Sequence, residues 1–504
     1  MQLTACEITG YRSLRAVRLP LGSTSVLVGE NGAGKTNLLR ALELLQGCAT
    51  GAICGMLADE GGMERVLWAG RPTPADGPAP TSIRLTAHLT NLRYTIEIAA
   101  PAPGDAALAG EATVREEMLT HTGIEGDGAG ERIVMHRQGA DVRLRDAKGQ
   151  RQHFKQHLQP SETALHAFRD SASYPELAYV RQLFEGWRIY HRFNLAADAP
   201  TRAPARSVMT PALAVDGSDL AAALATIFSA SQGREALLTP LKEAFPGATL
   251  ESSVSDGKTR FQLKLPDFDR SLQGREISEG TLQYICLLAA LTAYRKPALI
   301  AINEPEASLH ESFLAPLARL IARTATDSQI CIVTQSGALA REIAKAASVK
   351  PMTIRRQDGR TLVEGVEATP SAPVAKASTA AMGAAPAGPE SEASVVIVKK
   401  DQIPTGSGRG AEPELDAQIE EVRSLTSARN VLAEIRKLIG QLREHPDQLA
   451  EIHPKIEARL AKLRSTAVAL PPEFSALTSR LDEELRSIVA TPKSNAPTKE
   501  RGLA

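Results

Sequence analysis

A chain of 504 residues with 43% apolar side chains has room for about three domains and at least one large core. That excludes a peptide, a disordered tail and a disulfide-stapled module. Its 58 basic and 58 acidic residues cancel, so no net field draws it to nucleic acid or anionic lipid, and any DNA contact has to come from a local patch.

Cys6, Cys48, Cys54, Cys286 and Cys331 are odd in number and widely spaced, as suits a reducing cytosol. The opening MQLTACEITGYRSLRAV lacks signal-peptide order, and no apolar run approaches the ~20 residues that span a bilayer. A cytoplasmic protein with no membrane partner is expected.

In chain order, the β-branched run Val26–Val28 enters a glycine loop, and Lys35–Leu45 follows with Leu38, Leu39, Leu42 and Leu45 at helical spacing, a strand-loop-helix unit. Residues 82–98 alternate apolar and polar on both sides of Thr90-Asn91, which predicts an antiparallel hairpin. Residues 100–160 are rich in Gly and charge with little periodicity and read as an irregular, exposed insertion. A helix over 281–293, a buried strand over 298–302, an amphipathic helix over 313–325 and a strand over 329–333 imply a parallel sheet covered by helices.

Beyond residue 365 the composition changes to an Ala/Pro/Gly/Ser stretch over 366–413, which cannot bury enough apolar surface to order itself and reads as a linker. The short apolar island Val395–Val398 inside it is read as a chance run before a docking strand. From 414 to 490, apolar residues recur at three- and four-residue steps, starting with Leu415, Ile419 and Val422. They predict an all-α bundle or partner-docking module, followed by a disordered tail over 491–504. Basic and acidic residues are mixed in the helical region, which favours a protein partner over a nucleic-acid arm.

Gly29-Glu30-Asn31-Gly32-Ala33-Gly34-Lys35-Thr36, followed by Asn37, fits a phosphate-binding loop between its strand and its helix. Glycines let backbone N–H groups reach phosphates at the positive end of the helix dipole. Lys35 is placed for the β- and γ-phosphates and the Thr36 hydroxyl for Mg²⁺. The alternative is a glycine turn that happens to precede Lys-Thr. A buried strand ending in Asn303-Glu304 brings a Mg²⁺-side residue and a catalytic carboxylate to the sheet's C-terminal edge.

The blocks GENGAGKTNLLRAL, ISEGT (277–281), INEPEASLH (302–310) and IVTQS (332–336) occur in the order found in ABC-type ATPases of the RecF/SMC-like kind. Residues 1–365 resemble that family, in particular bacterial AAA family ATPases with NEPE-type Walker B sequences. The resemblance implies an α/β P-loop NTPase head with a mixed or parallel sheet and an antiparallel β lobe, binding ATP and Mg²⁺. It implies that Ser278, Glu279 and Gly280 form a signature motif reaching the γ-phosphate on a partner protomer, that Glu304 orients or deprotonates the attacking water, and that residues 307–310 form a D-loop along an ATP-dependent homodimer seam.

Three departures from the family's pattern bear on turnover. Asn303 stands where Asp is usual, and Gln335, after Thr334, stands where a switch histidine is usual. No glutamine lies between Gln46 and Gln138, where a Q-loop residue is expected. Slow hydrolysis by an ATP-gated dimeric switch on DNA or a protein partner, in genome maintenance or phage defence, is the leading reading. A nucleotide-sensing scaffold holding an effector through 414–490 is the alternative.

Weaker signals have plain readings. His153 and His157 lack a third ligand and read as a solvated polar face. Trp187, Tyr190, His191 and Phe193 read as core, and Asp216–Leu220 as a turn and helix cap. Arg12 and Arg15 are balanced between exposed strand-edge positions and a role near nucleotide or DNA. The last third has no carboxylate set for a metal-dependent nuclease, and the stretch between the phosphate loop and Ser278 shows no sustained heptads of an SMC arm.

Overall fold

The computed structural model describes residues 2–366, apart from 73–76, 102–111 and 123–130, and beyond them Pro454. Apart from that proline, the linker, the helical stripe and the tail expected after residue 366 lie outside the described residues.

The chain opens with the antiparallel pair β1 (Leu3–Tyr11) and β2 (Leu14–Pro20), turning at Arg12, whose φ is 51°. β3 (Thr24–Val28) and α1 (Lys35–Thr50) follow, then two short helices, α2 (Ile53–Asp59) and α3 (Met63–Val66). A meander comes next, made of β4 (Ser82–Leu89), β5 (Leu92–Ala99), β6 (Thr113–Thr122), β7 (Glu131–Gln138), β8 (Asp141–Arg145) and β9 (Arg151–Phe154). With β1 and β2 it forms one eight-stranded antiparallel sheet in the order β2-β1-β4-β5-β6-β7-β8-β9.

This corrects the irregular insertion expected over 100–160. Outside its undescribed stretches the segment supplies four strands, and Val114, Leu119, Met135, Val142 and Leu144 are core residues. Two features hide the period of two. The register shifts between Glu97 and Ile98 and again between Leu119 and Thr120, and each bulge flips the phase of the pattern. The inward face also carries charge, because Glu117 and Arg137 are both fully buried.

That pair is closed by hydrogen bonds. Glu117 accepts from the Tyr94 hydroxyl (2.9 Å) and from the backbone N–H groups of Ala164 (2.6 Å) and Leu165 (2.8 Å), at the start of α4 (Ala164–Ala167). Arg137 lies 3.7 Å from Glu117 and donates to the carbonyls of Gly139, Gln159 and Glu162.

α5 (Pro175–Glu185) and β10 (Arg188–Tyr190) lead into a second lobe. It comprises β11 (Ala205–Arg206), α6 (Leu220–Phe228), α7 (Ser231–Ala244), β12 (Thr249–Ser255), β13 (Lys258–Lys264) and β14 (Leu272–Gln273), with α6 against a small antiparallel sheet. Trp187, Tyr190 and Phe193 are buried, as expected of core, Tyr190 on β10 and the other two just before and after it, whereas His191 is only half-buried, beside Glu43. The 216–220 turn is present. Asp219 accepts from the Ala214 N–H instead of capping its own helix. His153 sits on β9 near Asp141, while His157 stacks on Phe154 and Phe168, so they do not share a helix face.

The rest of the chain is α8 (Glu279–Leu291), β15 (Leu299–Asn303), α9 (Leu314–Thr324), β16 (Gln329–Thr334), α10 (Gly337–Ala347), β17 (Met352–Gln357) and β18 (Arg360–Val363). The second large sheet runs β10-β15-β16-β3-β17-β18, parallel except for β18. Its residues alternate between two cores. Leu27, Leu299, Ala301, Cys331 and Val333 face the core shared with α1 and the antiparallel sheet. Val26, Ile300, Ile302, Ile330 and Ile332 face α8, α9 and α10.

Buried Gln329 ties the sheets together, its Nε2 donating to the carbonyls of Leu3 (2.7 Å) and Gly22 (2.9 Å) while its Oε1 accepts from the Leu3 N–H. All five cysteines are free, and burial pushes the thiols of Cys6 and Cys331 up to about 12, where they stay protonated and inert. No helix among the described residues is long and apolar enough to cross a membrane.

Candidate nucleotide site

The glycine loop leaves β3 at the centre of the parallel sheet, flanked by β16 and β17. Gly29 donates its N–H to the Thr334 carbonyl (3.2 Å), and a side chain there would collide with the Ile354 carbonyl. Gly32 and Gly34 have φ of 77° and 95°, a region open to glycine at little cost. α1 begins at Lys35 with neither a side-chain cap nor an acidic residue in its first turn. Its first N–H groups are therefore offered to an anion at the positive end of the helix.

Lys35 is 5% exposed, and its ammonium folds back to the carbonyls of Gly29 (2.6 Å) and Glu30 (2.8 Å). Burial lowers its pKa from the ordinary lysine value, opposed by the negative charges of Glu304 and Glu306.

A cleft of 480 Å³ opens over this loop. Asn31, Gly32, Gly34, Lys35, Thr36 and Asn37 form its floor, and Glu304 stands at one end. The other walls were not among the residues singled out from sequence, Arg12 excepted. Arg65 lies in the last turn of α3, Leu67, Ala69 and Gly70 follow that helix, and Arg356 and Gly359 come from the β17–β18 hairpin. Neither segment carries a motif, and only the topology brings them to β3. Arg12 is held at the cleft by Glu60, with Nε to Oε2 at 2.8 Å, while Arg15 stacks over Trp68. Arg12 thus belongs to the site wall, and both arginines have partners.

The floor is braced from a distance in sequence. The Thr361 hydroxyl donates to the Ala33 carbonyl (2.9 Å) and meets Ser13 Oγ (2.8 Å), which accepts from the Asn37 amide (2.8 Å). A Cβ on Gly34 would overlap the Thr361 hydroxyl and come within 2.6 Å of Ser13 Oγ. Gly34→Ala combines that clash with an unfavourable φ, so a loss of roughly 1–3 kcal/mol is expected in urea unfolding.

Asn303 ends β15 and Glu304 begins the turn after it, with φ of 46° and its N–H on the Val333 carbonyl (2.7 Å). Asn303 Oδ1 is buried without a hydrogen-bond partner. Asn303 does not line the cleft, but a buried, unpaired oxygen is the hard-donor chemistry that Mg²⁺ takes, as is the hydroxyl of Thr36 on the cleft floor, so both residue types suit the ion.

Several sequence-singled residues do not line the cleft. Gly29, Glu30 and Ala33 shape the loop from behind, and Gln335 is exposed at the entrance to α10. Ser278 and Glu279 are exposed at the start of α8. The Ser278 hydroxyl caps that helix through Thr281 N (3.3 Å) and donates to Thr281 Oγ1 (2.9 Å). A side chain on Gly280 would lie 2.6 Å from the Ser308 carbonyl, so this segment packs on the 307–310 loop within one protomer. The approach to Ser278 is fixed by Arg270 and Gln273 N, both on Glu276, whose carboxyl they hold down at about 2.

Residues 25–340 match the model of the family described as "AAA domain, putative AbiEii toxin, Type IV TA system". The chain belongs to that family. A 100-residue segment of this AAA-domain protein is 35% identical to the DNA replication and repair protein RecF of Anaeromyxobacter dehalogenans, covering 16% of this chain and 27% of RecF. A 45-residue segment is 44% identical to the OLD nuclease of Thermus scotoductus, covering 9% and 8%. The chain therefore spans about a quarter or less of the length of these curated relatives.

Among solved structures, an Smc head bound to the C-terminal winged-helix domain of ScpA is similar over 72% of this chain and 97% of that one, at 13% identity and a TM-score of 0.40. The SMC head of Thermotoga maritima is similar over 73% and 100%, at 14% identity and 0.35. The family match and the RecF segment bear out the resemblance of the chain to RecF/SMC-like ATPases.

Proposed function

We propose that this protein is an ATP-gated switch that hydrolyses ATP slowly as a homodimer. One observation carries the reading. The phosphate loop and Glu304 line one cleft, whereas Ser278, at an exposed helix start, lines none of it. Two heads facing one another supply what each lacks: Ser278, Glu279 and Gly280 of one reach the γ-phosphate held by Lys35 and the loop N–H groups of the other. Thr36 and Asn303 would hold Mg²⁺, which would supply positive charge against the phosphates. Glu304 holds and deprotonates the attacking water, and Gln335 donates a hydrogen bond to the phosphate without carrying charge. Arg65 and Arg356 stand where they can hold the rest of the nucleotide.

Closure then alters contact with DNA or with a protein partner. The similarity to RecF, a DNA replication and repair protein, favours genome maintenance, and the family's toxin association favours a defence or toxin system. ATPase rate measured against protein concentration, with and without duplex and single-stranded DNA at fixed salt, tests the reading. The specific rate is expected to rise with concentration, and Glu304→Gln is expected to accumulate an ATP-bound dimer in sizing experiments while hydrolysis falls by about 100-fold or more. A fast rate independent of concentration contradicts the switch.

Asn303 and Gln335, each lacking a charge usual at its position, support a second reading, a nucleotide-sensing scaffold that binds an effector through residues 414–490. DNA-independent activity together with a protein that co-purifies only when 414–490 are present selects it.

A further inference from the structure

We infer that Glu306 is a positioning residue that locks the switch segment Thr334–Ser336 to the catalytic end of β15, an inference that rests on the ATPase reading above. Glu306 stands two residues beyond Glu304, in the same turn. One of its carboxylate oxygens, Oε1, accepts from the Thr334 hydroxyl and from the backbone N–H groups of Gln335 and Ser336, each at 3.2 Å. The Ser336 N–H is shared with Thr334 Oγ1 (2.9 Å), so three consecutive residues are gathered onto one carboxylate.

The end of β16 is already held from both sides. The Thr334 carbonyl accepts from Gly29 of the phosphate loop, and the Val333 carbonyl accepts from the Glu304 N–H. Glu306 adds the third tie, at the one point where the phosphate loop, the Glu304 turn and the switch segment meet. With it in place, the backbone on either side of Gln335 is fixed and only that side chain is left exposed.

A role in capping α10 does not account for this arrangement. Ser336 already caps that helix, its hydroxyl accepting from Leu339 N–H (3.1 Å). The second Glu306 oxygen, Oε2, is buried with no partner, a cost that a group kept for the fold alone would shed. The negative charge of Glu306 also reaches Lys35 across the loop, so the residue is felt on both sides of the reacting phosphate.

The test uses the full chain and the variants Glu306→Ala and Glu306→Gln, comparing kcat and KM for ATP, ADP affinity by calorimetry, and melting temperature. Misplacing the switch segment is expected to lower kcat of E306A about 10-fold or more. KM and ADP affinity stay within about threefold, as for a residue that acts beyond ground-state binding. E306Q keeps an acceptor for the N–H groups and recovers most of the rate.

An unchanged kcat in E306A overturns the inference. So does a matched loss of ATP affinity, ADP affinity and melting temperature, which marks a role in folding only. Wild-type turnover with an unaffected E306A removes the positioning role alone. A wild-type chain that binds ATP and never turns it over removes the ATPase reading and the positioning role together.

Discussion

Lys35→Ala is expected to bind ATP at least ~100-fold more weakly than the wild type, equivalent to about 2.7 kcal/mol. Among the described residues, the ammonium is the only cation on the floor of the cleft. It is held within the loop by the carbonyls of Gly29 and Glu30, so it meets phosphate already oriented and largely stripped of water. Its removal takes away a charge-assisted contact and leaves two loop carbonyls without their donor. Titration calorimetry on the full chain checks this, and retained affinity contradicts the loop reading.

The same side chain sets a pH dependence. Burial lowers the Lys35 pKa, and the cation is the form that binds phosphate. ATP affinity is therefore expected to fall as pH rises, and to do so at a pH below the ordinary lysine range.

Glu117→Ala is expected to cost about 3–5 kcal/mol of stability, the usual cost of leaving one member of a buried ion pair behind. The substitution strands the Arg137 guanidinium inside the antiparallel sheet, together with the Tyr94 hydroxyl and the N–H groups of Ala164 and Leu165. Burial raises the Glu117 pKa against the pull of Arg137 and these donors. Glu117→Gln should therefore cost less than the alanine, since it keeps an acceptor while removing a charge that burial disfavours. Chemical denaturation of the three chains checks the order, and a loss below about 1 kcal/mol for E117A shows that water or a neighbour replaces the carboxylate.

The phosphate loop, the 82–99 hairpin and the strand-helix alternation from 279 to 334 were legible because each obeys a short-range rule. The loop needs glycines, the hairpin alternates, and the β15 and β16 runs are apolar on both faces because both faces are covered. The strands from 113 to 154 were not legible. Their bulges break the alternation, and two charges on their inner face pair only across neighbouring strands. Arg65, Arg356 and the Thr361–Ser13–Asn37 brace were hidden for another reason. Their proximity comes from the order in which β17, β3 and β16 lie side by side, which no local pattern encodes.

That strand order has a consequence for the chain as it is made. β3 and its glycine loop are synthesised well before the strands on either side of β3, which begin at Gln329 and Met352, and before Thr361, whose hydroxyl braces Ala33. The antiparallel sheet, built from neighbours in sequence, can collapse while the ribosome is still at work. The phosphate loop must wait for some three hundred further residues before its flanking strands exist. The loop is thus framed by its neighbours only when the head is nearly complete.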